Sequence, residues 1–223
     1  MSFKVQFLIP FTMTILVAFT FHEFAHAWTA FKLGDDTAER EGRVSLNPFV
    51  HLDIVGTIMI FVTQGFGWAR PVPVNPSRLR NPKRDEILVT AAGPASNLLL
   101  AILAGLVLGF LSAKGVFAPA KLKAAPLLVL SKDFLRMMVS INLLLAFFNM
   151  LPIFPLDGSH IVARLLPLNE AYRFKRFGEQ YGFWMLIGVV VLGQQLPWQY
   201  NPLYWLIHYP SAKIAQFLMS IPW

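Results

Sequence analysis

Residues 5–31 read VQFLIPFTMTILVAFTFHEFAHAWTAF. A helix crosses the hydrocarbon core of a bilayer with about 20 apolar residues, so this stretch is long enough to span. Its only ionisable side chains are His22, Glu23 and His26. On a helix, positions i and i+4 lie one turn apart on nearly the same face. Two imidazoles placed that way can bind one Zn2+, and the glutamate between them can serve as general base toward a water molecule. An ionisable cluster within an apolar span is costly and marks a functional site. The plainer reading is two polar side chains packed between helices, with Glu23 as a structural carboxylate paired to a loop arginine.

The rest of the composition agrees with a membrane setting. Of 223 residues, 56% are hydrophobic and 14% charged, with a mean hydropathy of +0.54. Soluble domains carry roughly 25% charged residues, which makes this an integral membrane protein. The net charge of +7 reads as cytoplasmic loop charge and not as a nucleic-acid footprint. No cysteine is present, so disulfides and thiolate ligands are excluded, and any metal must use His, Asp, Glu or water. The first apolar stretch is too long for a signal-peptide core, and no cleavable leader is expected. No internal repeat or low-complexity tract is present.

Working outward, Gly34, Asp35 and Asp36 end the first span, and Glu41 to Phe49 alternates in a strand-prone pattern. Ile54 to Val62 is apolar but too short to cross and reads as interfacial or re-entrant. Gly65 to Pro76 is an extended stretch, and its prolines allow it to pair only at an edge. The second span covers about Ile87 to Ser112 and opens with small residues, Ala91 to Asn97, suited to close helix contact. The third covers about Phe134 to Leu151 and the fourth about Tyr181 to Leu196. The aromatic tail from Pro202 to Trp223, interrupted by Pro210, is a short span or an interfacial helix.

Loop charge orients these spans. Lys32, Arg40, Arg43, Arg70, Arg78, Arg80, Lys83 and Arg84 lie between spans one and two. Only Lys114, Lys121 and Lys123 lie in the next loop, and Arg164, Arg173, Lys175 and Arg176 follow the third span. The positive-inside rule puts the first and last groups in the cytoplasm. His22 and His26 then sit near the cytoplasmic end of span one, at a depth similar to that of Asp157 just past span three. A catalytic zinc site needs three protein ligands and one open position. On that side His51, Asp53, Asp157 and His160 all qualify as the third ligand, and Asp157-Gly158 is also an ordinary turn signal. Asn142 and Asn149, seven apart, share a helical face and suit either interhelical hydrogen bonding or substrate contact. His208 reads as interfacial.

Three motifs now carry a resemblance: His22-Glu23-Phe24-Ala25-His26, Gly93-Pro94-Ala95-Ser96-Asn97, and Asn149 through Pro155-Leu156-Asp157-Gly158. In order and spacing, over roughly Val5 to Leu166, the chain resembles the site-2 protease family of intramembrane zinc metalloproteases. The runs Gly42 to Pro48 and Gly67 to Pro76 are similar to its minimal prokaryotic members. The resemblance implies one Zn2+ per chain on His22, His26 and Asp157, with Glu23 as general base. It implies that Asn149 binds the substrate backbone near the cleaved bond, and it suggests that the extended Gly67–Val74 region, with Gly67, Trp68 and Ala69, lies beside the substrate and pairs with it as an edge strand. PDZ and CBS domains, carried by many members, have no room here, so substrate selection is expected to be absent or supplied by an accessory substrate-presenting protein.

The expectation is therefore an all-α polytopic membrane protein. It has a three-helix catalytic core plus one or two further spans and a short membrane-associated β or re-entrant segment. Residues 1–166 form the core, with loop 41–86, and residues 167–223 the C-terminal spans and tail. The expected activity is hydrolysis of peptide bonds in or near transmembrane segments, in the cell membrane, with the site toward the cytoplasm. The expected partners are a transmembrane protein substrate and the bilayer, with no nucleic acid. The rival readings are a membrane metal-binding scaffold or transporter, and an inactive protease homologue. A transporter needs a polar path through several spans, and spans two and four offer almost none.

Overall fold

The computed structural model describes residues 5–63 and 67–220. Gly65 and Phe66 of the expected extended stretch, and residues 221–223 of the tail, lie outside them. The architecture is all-α: α1 (Val5–Lys32), α2 (Thr37–Arg40), α3 (Ile54–Thr63), α4 (Pro82–Ala113), α5 (Pro119–Ala124), α6 (Pro126–Asn149), α7 (Asp157–Leu165), α8 (Leu168–Gln195) and α9 (Tyr209–Ser220). Among the described residues, Phe7–Lys32 and Pro82–Ala113 are the helices long and apolar enough to cross a membrane. The helix that holds the expected third span begins earlier than its apolar run suggests. The α6 helix starts at Pro126 and carries Lys132, Asp133 and Arg136 in its first half. Likewise α8 carries Arg173, Lys175, Arg176 and Glu179 before its apolar part. Helix formation ignores the polarity switch because Lys, Arg and Glu are good helix formers.

Two expectations about irregular chain are corrected. The strand-prone piece Glu41 to Phe49 forms no strand. Gly42 takes φ +68°, and Asn47 accepts the Phe49 N–H at 3.1 Å to start a single 3-10 turn, Pro48–Val50. Local side-chain bonds of this kind outcompete a ladder, and Pro48 has no N–H to give one. Among the described residues the only strand-like pairing is one antiparallel bridge, Leu52 to Ala69. In the tail, Pro210 does not interrupt the helix. A π turn, Tyr204–His208, precedes it, with the Tyr209 N–H bonded to the Tyr204 carbonyl. The wider turn absorbs the donor that proline lacks, and α9 continues through it.

The chain divides into two compact units. One comprises Met1–Ala18, Asn97–Phe148 and Ile187–Trp223. Its core packs Ala101 and Ala104 of α4 against Met138, Val139 and Leu143 of α6 and Ala215 and Leu218 of α9. Small residues let the helices close: a Cβ on Gly105 would sit 2.8 Å from that of Leu218. Asn97 donates to Asn142 Oδ1 at 2.8 Å and to the Ala18 carbonyl at 3.2 Å, and Asn142 donates to the Met138 carbonyl at 2.9 Å. Asn142 thus serves interhelical bonding. Polar pairs between apolar helices are worth about 0.6 kcal/mol on average and about 1.7 at most. Asn142→Ala is therefore expected to cost about 1 kcal/mol, read as a small drop in the thermal midpoint in detergent.

The other unit comprises Phe19–Ser96 and Asn149–Leu186. Ala30, Leu79 and Val89 form its small apolar core, with Leu33 and Val74 packed on it. Buried polar groups tie its loops. Asp35, fully buried, accepts from the Thr37 N–H at 3.0 Å and the Asn75 N–H at 2.6 Å. Asp36 pairs with Arg40 at 2.6 Å and with Arg78.

Candidate metal centre

The second unit holds the motif. His22 and His26 lie one turn apart on α1, with ring centroids 4.6 Å apart and planes at 83°. His26 Nδ1–H donates to the Val89 carbonyl of α4 at 2.8 Å. That bond leaves the lone pair of the neutral ring on Nε2, the arrangement typical of a metal-ligating histidine. His26 Nε2 lies 3.0 Å from His22 Nε2. Asp157, the first residue of α7, brings Oδ2 to 3.2 Å from His22 Nε2 and Oδ1 to 3.4 Å from His26 Nε2. A tetrahedral zinc with ligands at 2.0–2.1 Å has ligand–ligand edges of about 3.3–3.4 Å. The separations of 3.0–3.4 Å, those of Asp157 measured to its two different oxygens, lie close to that edge length. Asp157 Oδ2 is also buried without a hydrogen-bond donor, although it is close to His22. Two imidazole nitrogens and a carboxylate gathered around one point, with a buried carboxylate oxygen left without a donor, fit a cation.

Packing brings α4 and α7 to this point. A Cβ on Gly93 would lie 2.6 Å from His26 Cε1 and 2.7 Å from His22 Cε1. Only glycine lets α4 come this close to the imidazoles. A Cβ on Gly158 would lie 2.6 Å from the Leu151 carbonyl oxygen, so a glycine here lets α7 start against the chain that leaves α6. Arg164 of α7 pairs with Glu86 of α4, tying the helix that carries Asp157 to the one that flanks the histidines.

Of the four candidates for third ligand, Asp157 alone joins the histidines. Asp53 instead caps α3, accepting the Gly56 N–H at 2.7 Å. His160 is half-buried with its ring 5.2 Å from that of Phe154. His51 is fully buried, and its Nε2 meets the Ser45 carbonyl at 2.7 Å. Glu23 is buried beside His22, about 60° around the helix from His26. Among the described residues no arginine forms an ion pair with it. Asn149 is half-buried at the end of α6. Gly67 packs against Gly56 and Ile60 of α3, and Ala69 bridges to Leu52. Arg43, read as loop charge, is in fact buried, donating to the Arg70 carbonyl at 2.6 Å and the Pro71 carbonyl at 3.2 Å.

Burial first, and then the Arg43 cation, hold the His51 imidazole below its ordinary 6.5, against the pull of the Ser45 carbonyl. Its folded pKa is lower than its unfolded one. The stability it contributes is present above pH 6.5 and is lost as pH falls through the depressed folded value. Loop 45–52 is expected to open first on acidification, seen as faster amide exchange there and not in α4. Loosening of α4 ahead of this loop would contradict the assignment.

An H-E-x-x-H pair on a helix long enough to cross a bilayer, completed by an aspartate from a second helix, is the arrangement of a zinc metalloprotease. Comparison with known proteins gives the same class. A family profile described as Peptidase family M50 matches residues 10–192, and the chain belongs to that family. It is 42% identical over 194 residues to the "Putative zinc metalloprotease YwhC" of Bacillus subtilis, covering 86% of this chain and 85% of that one. It is 27% identical over 212 residues to the "Putative zinc metalloprotease Rip2" of Mycolicibacterium smegmatis, covering 92% and 74%. The protein of the same name in Mycobacterium tuberculosis is 28% identical over 198 residues, covering 86% and 70%. No solved structure matches the chain.

Proposed function

We propose that the protein is an intramembrane zinc metalloendopeptidase that cuts peptide bonds in or next to transmembrane segments of membrane-protein substrates, in regulated intramembrane proteolysis. The observation that carries this is the cluster of His22 and His26, on a helix of membrane-spanning length and apolarity, with Asp157 of α7. These three residues would hold the zinc. When bound, zinc supplies Lewis acidity toward a carbonyl and toward water. Glu23 then takes the proton of the attacking water and delivers it to the leaving amide nitrogen. A helical substrate hides its carbonyls in hydrogen bonds to residue i+4, so it must unwind before it can react. Asn149 would bind the exposed main chain near the scissile bond, and Gly67, Trp68 and Ala69 would flank it. The site faces the cytoplasm from the cell membrane, where water can reach it. The substrate is a single-span protein already trimmed elsewhere, presented with or without an accessory protein.

The test uses purified protein, a single-span substrate, and Glu23→Gln with matched zinc content. Wild type is expected to cut within or next to the span. The variant is expected to be slower by roughly 10²–10⁴, the usual worth of a positioned base. Equal cutting by both would remove Glu23 from the mechanism. A cut far from the span would remove the intramembrane reading.

A further inference from the structure

Prolines at 71, 73 and 76 shape the chain after Ala69. Each fixes its own φ and pushes the preceding residue into the extended region, so Arg70, Val72 and Asn75 are extended for steric reasons alone. An extended segment outside a sheet must be held by other means, and this one is held at three points. At its start, the Arg70 N–H donates to the His51 carbonyl at 2.8 Å. In the middle, the Arg43 guanidinium straddles two successive carbonyls, Nη2 to Arg70 at 2.6 Å and Nη1 to Pro71 at 3.2 Å. At its end, Asp35 accepts the Asn75 N–H at 2.6 Å.

Arg43 is 3% exposed. Charged side chains are almost never that buried unless paired, and among the described residues no carboxylate pairs with Arg43. Its Nε has no partner either. A cation serving only membrane topology could stay in solvent, so the burial points to a task inside the loop. The planar fork suits that task, because one lysine ammonium cannot hold two carbonyls in fixed register. Arg43 and His51 both lie within electrostatic range of Glu23, which sets the clamp near the metal centre. Among the described residues, neither the Val72 nor the Val74 N–H has a hydrogen-bond partner. Two apart on an extended chain, they face one edge.

We propose that Arg43 is a positioning residue for the extended segment that the family resemblance sets beside the substrate as an edge: it holds the Arg70 and Pro71 carbonyls from inside the loop, with Asp35 anchoring the far end, so that the main chain through Val72 and Val74 is ordered before an unwound substrate arrives. The substrate half of this inference rests on the protease reading above. Main-chain pairing to a preformed edge is a general mode of peptide capture, and its benefit is that the edge is ordered before binding.

The test takes the full-length, zinc-loaded protein in lipid nanodiscs as wild type, Arg43→Gln, Arg43→Lys and Asp35→Asn. Amide exchange at Arg70 and Asn75, zinc content, and KM and kcat on a single-span substrate are read together. Arg43→Gln is expected to keep its zinc, to exchange about tenfold faster at Arg70, and to raise KM about tenfold with kcat within about twofold. Arg43→Lys is expected not to restore KM. Full rescue by lysine, unchanged exchange, or a fall in kcat at constant KM would each overturn the proposal. If Arg43→Gln does not fold, Arg43→Lys and Asp35→Asn carry the same readouts. If wild type cuts no single-span substrate, the protease reading and the substrate half fail together. The exchange arm then still decides the clamp, which faster exchange at Arg70 supports and unchanged exchange overturns.

Discussion

Gly93→Ala is expected to strip the centre of zinc while leaving α4 helical. The added methyl would fall 2.6 Å and 2.7 Å from the Cε1 atoms of His26 and His22. Neither ring can turn aside freely, because His26 is pinned to the Val89 carbonyl and His22 packs edge-on against it. The substitution pulls in two directions. Alanine favours a helix interior over glycine by roughly 0.5–1 kcal/mol. Overpacking against fixed neighbours costs typically about 1–3 kcal/mol. Displacing the ligands costs more again, since disturbing only the groups that orient metal ligands lowers affinity by roughly 10–100-fold. Zinc affinity is therefore expected to fall by about 100-fold or more, with near-native far-ultraviolet circular dichroism. Metal analysis after dialysis against a buffered zinc series would measure it. Retention of wild-type affinity would mean that α4 does not seat against the imidazoles.

Asp157→Asn is expected to separate metal binding from stability. The amide keeps the shape of the side chain but loses the charged oxygen that would ligate zinc, so affinity is expected to drop by more than about 100-fold, beyond the loss seen for second-sphere changes. In the metal-free protein the carboxylate has one buried oxygen without a donor. The amide can still meet the histidine Nε2 atoms that lie 3.2 and 3.4 Å from the carboxylate, and removing the buried charge relieves a desolvation cost, so the metal-free variant is expected to melt no lower than metal-free wild type. Functional sites commonly hold such local conflicts. A large loss of metal-free stability with zinc affinity intact would instead make Asp157 a structural partner of the two histidines.

Much of this was legible beforehand, and the failures have identifiable causes. The long helices followed from apolar runs and from good helix formers, although α6 and α8 begin in charged sequence that hydropathy alone places outside a span. The alternation from Glu41 to Phe49 misled because Asn47, Pro48 and Gly42 offer the chain turns that satisfy its N–H groups locally. Burial of Arg43 could not be read, because an arginine in a basic loop is exposed by default. The small-residue run from Ala91 to Asn97 announced close contact but not its partner. The structure divides that run: Gly93 faces the histidines, and Asn97 bonds Asn142.

By itself the sequence determined the helical class and the pairing of His22 with His26. Those depend on hydrogen bonds and periodicity within one helix, where the geometry of i and i+4 is set whatever packs around it. That Asp157, and not His51, Asp53 or His160, lies with the two histidines was decided by tertiary structure. It depends on Gly93 and Gly158 allowing close approach and on Glu86 holding Arg164, contacts between distant segments that no local pattern encodes. The buried clamp of Arg43 on the Arg70 and Pro71 carbonyls belongs to the same class, because its energy exists only once two loops have met.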